Sequence, residues 1–129
     1  MAGRILLDTN IVIAALASDP DVIAHIEDSD ELFVSTTVLG ELIYGAQNST
    51  NLQSNRDRLE AFVSRGKFLD CDKQTAARYG SIKTELRKKG KPIPDNDIWI
   101  AASALQHSLL LATRDGHFDQ VDGIIIAKW

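Results

Sequence analysis

A chain of 129 residues, 44% hydrophobic and 25% charged, has the size and composition of one globular domain of the soluble class. It needs neither a disulfide nor a structural metal to fold, and its lone Cys71, with no internal partner, suits a reducing cytoplasm. A formal charge of −4 argues against wrapping nucleic acid by bulk electrostatics; no apolar run reaches the roughly 20 residues of a membrane span, and Arg4 followed by three apolar residues lacks a signal-peptide core.

In chain order, Arg4 to Leu7 reads as a buried strand ending abruptly at Asp8, and the apolar stretch Asn10 to Ala17 as a helix. Asp19-Pro20 supplies an N-cap and a first-turn proline for a helix through Val22, Ile23 and Ile26. Leu32 to Val34 is a second strand, and Thr36 or Thr37 caps a helix running to about Gln47. After the polar loop Asn48 to Asn51, a helix carries Leu52, Leu59, Phe62 and Val63 and closes at Gly66. Lys67 to Leu69 is a short strand, and Asp72 caps a long helix to about Lys89, stopped by Gly90 and Pro92. Asp95 to His107 is the last helix, and Leu109 to Ala112 and Ile124 to Ile126 are the last strands. Strands alternating with helices imply an α/β fold, a mostly parallel sheet covered on both faces, in one domain spanning 1–129.

Four acidic residues stand where the pattern calls for buried or cleft-lining side chains. Asp8 and Asp115 follow apolar strands at their carboxyl ends, where open parallel sheets bind ligands. Asp97 shares a helix face with Ile100, Ala101, Ala104 and Leu105, and Glu41 shares one with Val38, Leu42 and Gly45, with no lysine or arginine at i±3 or i±4. Each has a plainer reading: Asp8 and Asp115 as turn or cap residues, Asp97 as a helix-dipole partner, Glu41 at the margin of its stripe. Asp95 is assigned the N-cap of its helix. Should the four converge, their mutual repulsion calls for a cation, and an all-oxygen set selects Mg²⁺ or Mn²⁺. His25, His107 and His117 are scattered and read as surface or structural residues.

The stretches Leu7-Asp8-Thr9-Asn10-Ile11, Gly40-Glu41-Leu42-Ile43-Tyr44-Gly45-Ala46, Pro94 to Asp97 with Ile100-Ala101-Ala102, and Ala112-Thr113-Arg114-Asp115 resemble the PIN-domain nucleases, specifically the VapC-like toxins of toxin–antitoxin pairs. The resemblance spans essentially the whole chain in the right order and spacing. It implies a three-layer α/β/α sandwich, an endoribonuclease using one or two Mg²⁺ or Mn²⁺ ions, a homodimer, and inhibition by a small VapB-like antitoxin. Asp8, Glu41, Asp97 and Asp115 match the family's acids, and Thr9, Asn10 and Thr113 its neighbouring polar positions.

Lys83, Arg87, Lys88, Lys89 and Lys91 form the densest basic run; it is either a solvated helix end or a contact surface for RNA phosphates. Two rivals remain: a phospho-accepting receiver-type signalling domain, which is also α/β with acids at strand ends, and an inactive protein-binding PIN domain.

Overall fold

A computed structural model describes residues 3–129. Among the described residues five strands pair in parallel, in the order β3-β2-β1-β4-β5. They are β1 (Arg4–Leu7), β2 (Glu31–Ser35), β3 (Lys67–Leu69), β4 (Leu110–Ala112) and β5 (Ile126–Ala127). The helices are α1 (Thr9–Leu16), α2 (Pro20–Asp28), α3 (Thr36–Gln47), α4 (Leu52–Ser64), α5 (Lys73–Lys89) and α6 (Asp95–Gln106), with a 3-10 helix at Gly116–Gln120. Since β-α-β crossovers are right-handed, the leftward path through β1, β2 and β3 puts α1 to α4 on one face. The return from β3 to β4 puts α5 and α6 on the other. The expected α/β/α sandwich follows. The strand order differs from the 2-1-3-4-5 order of receiver domains, which removes that rival.

Local chemistry accounts for the helix boundaries. Asp19 Oδ1 accepts the amides of Asp21 and Val22 ahead of Pro20 at the first turn of α2. At α5, Asp72 and Thr75 form a reciprocal capping box, and Gly90 ends the helix at φ 69°, a left-handed conformation that a side chain would strain. Two caps differ from the sequence expectation. Ser35, not Thr36 or Thr37, caps α3 by accepting the Val38 amide, because the fully buried Ser35 already ends β2 in an extended conformation. Pro94, extended, takes the N-cap position of α6, and Asp95 turns instead toward α5, where it accepts from Lys83 Nζ (2.9 Å) and the Tyr79 hydroxyl (3.1 Å). The last strand also lies later than expected, pairing Ile126 and Ala127 with Leu111 and Ala112.

The core is continuous across the sheet: Leu6, Leu7, Leu111 and Ala112 are fully buried, as are Ile11 and Val12 of α1 and Ile100, Ala101 and Ala102 of α6. Burial on both faces is why the strands read as unbroken apolar runs. The sheet's switch point lies between β1 and β4, where the chain leaves β1 toward β2 on one side while β4 lies on the other. The Asp8 amide, donating to Ala112 O at 3.0 Å, ties the two strand ends together there.

Candidate metal centre

Asp8 sits at that switch point, 4% exposed. Its Oδ1 accepts the Thr9 amide at 2.8 Å, capping α1, and its Oδ2 accepts the Thr113 hydroxyl at 2.7 Å. Asp8 is thus both a helix cap and a carboxylate at the crevice; one strand-end residue serves both readings. Burial pushes its pKa up, and the charges of Asp97 and Glu41 push the same way, against the two hydrogen bonds.

Asp115 repeats the device across the crevice. Its Oδ1 accepts the His117 amide at 2.9 Å and caps the 3-10 helix, while the fully buried Phe118 anchors that turn in the core. Thr113 joins the two sites, donating to Asp8 and accepting the Asp115 amide at 3.0 Å. Asn10 reaches the same loop, its Oδ1 accepting the Arg114 amide at 3.3 Å. Thr113→Val keeps the shape but leaves buried polar groups unpaired, which costs about 1–2 kcal/mol. The expected result is a melting temperature lower by roughly 4–8 °C in EDTA; an unchanged melting curve would mean that this hydroxyl holds nothing together.

Asp97 lies in the first turn of α6, above the buried Ile100, Ala101 and Ala104. Burial raises its pKa; His117 opposes the rise, while Asp115 and Glu41 add to it. Glu41 is half-buried on α3, its Oε1 accepting the Thr9 hydroxyl at 2.6 Å and its Oε2 facing Asn96 Nδ2 at 3.5 Å. Of its expected face, Val38 and Leu42 are buried and Gly45 is exposed. The four acids therefore meet at one end of the sheet, with Asp97 and Glu41 acting on Asp8, and Asp115 and Glu41 on Asp97. They are not equidistant: among the described residues, the group whose donor atoms all lie within 4.8 Å of one another is Asp97, Asp115 and His117.

The PIN domain sequence family matches residues 5–124. This chain belongs to the PIN domain family. Within it, the chain belongs to the VapC group. It is 36% identical over 129 residues to ribonuclease VapC2 of Haemophilus influenzae, covering 98% of both chains. It is 34% identical over 132 residues to the tRNA(fMet)-specific endonuclease VapC of Salmonella typhimurium, again covering 98% of each. The crystal structure of VapBC2 from Rickettsia felis, bound to a DNA fragment from its promoter, superimposes with a TM-score of 0.91 at 30% identity, over 98% of each chain.

In this PIN domain the donor set fits a divalent cation. Asp8, Glu41, Asp97 and Asp115 are oxygen donors, and among the described residues no lysine or arginine pairs with any of them. A carboxylate as buried as Asp8, facing other carboxylates with no cationic partner, calls for an external positive charge.

His117, set aside in the sequence as scattered, belongs to the site: its Nδ1 lies 2.8 Å from Asp97 Oδ2 and 3.2 Å from Asp115 Oδ2. The Asp97 contact raises its pKa, against partial burial. The signal was its position two residues after a strand-end acid, inside the turn which that acid caps. His25, by contrast, stacks on Trp129.

The basic run divides. Lys83 pairs with Asp95, Lys89 with Asp122 at 2.7 Å, and Lys88 more loosely with Glu85 at 3.9 Å. Arg87 and Lys91 are exposed and make no ion pair among the described residues.

Proposed function

We propose that this PIN domain is a Mg²⁺- or Mn²⁺-dependent endoribonuclease, the toxin of a toxin–antitoxin pair, with Asp8, Glu41, Asp97 and Asp115 as its site. The observation that carries the proposal is the meeting of four acids, uncompensated by lysine or arginine, at the switch point of a parallel sheet. The VapC relatives, named as a ribonuclease and a tRNA endonuclease, support it.

Asp8, Asp97 and Asp115 hold the ion, with Thr113 and Asn10 fixing the loop that carries Asp115. When bound, the ion supplies Lewis acidity toward a phosphodiester and neutralises charge that builds at phosphorus. Its charge also reverses the local field, so that an acidic crevice accepts a polyanion. Glu41, oriented by Thr9 through Oε1, offers Oε2 as acceptor for the proton of the attacking water. The water oxygen adds to phosphorus, one P–O ester bond breaks, and the leaving oxygen takes a proton from solvent.

The four intact acids favour an enzyme over an inactive, protein-binding PIN domain. A small VapB-like antitoxin and a second copy of the chain are the proposed protein partners. The exposed Ile13, Ile43 and Tyr44 on α1 and α3 are apolar surface for such contacts. Among the described residues no helix is long and apolar enough to cross a membrane, and a cytoplasmic location is part of the proposal.

The test is incubation of purified protein with initiator tRNA, ribosomal RNA and messenger RNA, with new 5′ ends mapped. Metal-dependent cuts at discrete positions support the proposal, and intact RNA of all three kinds in saturating Mn²⁺ would overturn it. Arg87 and Lys91, the unpaired cations of the basic run, are the better phosphate contacts; Lys88 and Lys89 contribute less because each already has an acid. Arg87→Ala and Lys91→Ala each flatten the log–log salt dependence of RNA binding by roughly 0.7. Slopes equal to wild type would make the run a solvated helix end.

A further inference from the structure

We propose that His117 is a direct metal ligand of this site, its Nδ1 joining Asp97 Oδ2 and Asp115 Oδ2 around one divalent ion and favouring Mn²⁺ over Mg²⁺. The inference rests on the metal-dependent reading above and adds a nitrogen donor to its four carboxylates.

The separations carry it. Ligand atoms about 2.1 Å from an octahedral ion lie roughly 3.0 Å apart when adjacent, which is √2 times the bond length. His117 Nδ1 stands 2.8 Å from one carboxylate oxygen and 3.2 Å from the other, each close to the spacing of adjacent corners of such a shell, and all three donor atoms lie within 4.8 Å of one another. A hydrogen-bonding role accounts for less, because one Nδ1–H can point well at one oxygen but not at two from separate segments. A cation satisfies all three atoms at once.

The surrounding fold leaves those atoms available. Asp115 spends Oδ1 on the His117 amide and keeps Oδ2 toward the group. The buried Phe118 fixes the turn, while the imidazole stays half-exposed and able to adjust by tenths of an ångström. Asp97 enters from the first turn of α6, a separate element, so the three donors close a ring across two parts of the chain. Imidazole nitrogen suits transition ions, whereas Mg²⁺ is served by oxygen alone.

The test loads EDTA-stripped, full-length protein with one equivalent of Mn²⁺ and records its electron spin-echo envelope modulation. The expected spectrum contains the ¹⁴N coupling of a directly bound imidazole, which His117→Ala abolishes. His107 cannot substitute, because it lies ten residues beyond Asp97, about 15 Å along α6. In calorimetric titrations His117→Ala lowers the ratio of Mn²⁺ to Mg²⁺ affinity about tenfold. Bound Mn²⁺ without nitrogen coupling in the wild type overturns the ligand assignment and leaves the nuclease proposal standing. Should His117→Ala fail to fold, the wild-type spectrum decides by itself. Absence of any Mn²⁺ binding to the wild type would overturn both proposals together.

Discussion

Asp97→Asn and Asp8→Asn each lower the rate of RNA cleavage by at least about three orders of magnitude while the far-ultraviolet circular dichroism stays that of the wild type. Each change removes one negative charge from the proposed ion site, and the charge stabilisation an ion supplies is worth several kcal/mol. At about 1.4 kcal/mol per tenfold, that is a factor of a thousand or more. The fold survives because an asparagine reproduces the neutral half of each contact. At position 8 its carbonyl still accepts the Thr9 amide, asparagine being as good an N-cap as aspartate, and its amide group can donate to the Thr113 hydroxyl. At position 97 the carbonyl still faces His117. Single-turnover cleavage of a sensitive RNA is the measurement, and a near-wild-type rate in either variant would remove that residue from the site.

Asp8→Asn also melts at or above the wild type in EDTA, whereas in millimolar Mn²⁺ the wild type gains roughly 10 °C and the variant far less. Two unit charges about 4 Å apart interact by up to about 4 kcal/mol at an effective dielectric near 20, and protonation and water reduce this. The sign follows from the raised pKa of Asp8. A carboxyl whose pKa is higher folded than unfolded favours the folded state only when protonated. That contribution is complete below the unfolded pKa and is lost as pH rises through the folded one. At neutral pH the metal-free wild type therefore bears the cost of this charge and Asp8→Asn does not; the difference between them shrinks as pH falls into the carboxylate range. Metal reverses the order: at a free concentration about 100 times its dissociation constant, binding adds roughly 2.7 kcal/mol, on the order of 10 °C for a domain this size. Melting curves of both proteins in EDTA and in Mn²⁺ decide. If Asp8→Asn melts well below wild type in EDTA and both gain equally from Mn²⁺, Asp8 is a cap and no more.

What could be read from the sequence was whatever one-dimensional pattern controls. Apolar runs cut short by Asp8 and Asp115 marked strand ends, and the period of α6 put Asp97 above Ile100 and Ala101. Those features place three of the acids before any tertiary contact is known. Competition between neighbouring chemistries was not legible. Ser35 and Thr36 can both cap α3, and only the extended, buried end of β2 selects Ser35. Asp95 has the composition of an N-cap, but Lys83 and Tyr79, twelve and sixteen residues away, draw it to α5 instead. His117 was invisible for a related reason: its partner Asp97 is 20 residues distant, and no periodicity links a 3-10 turn to the start of a helix. Within the basic run, the sequence shows five cations but not that Lys83 and Lys89 are already paired across the fold.

The most direct test of the central claim is the rate of RNA cleavage by EDTA-stripped wild-type protein as Mn²⁺ is titrated back. A metal-dependent site at the β1–β4 switch point predicts no cleavage without the ion and a rate that rises to saturation as the site fills. Full-rate cleavage in EDTA, independent of added Mn²⁺, would contradict it.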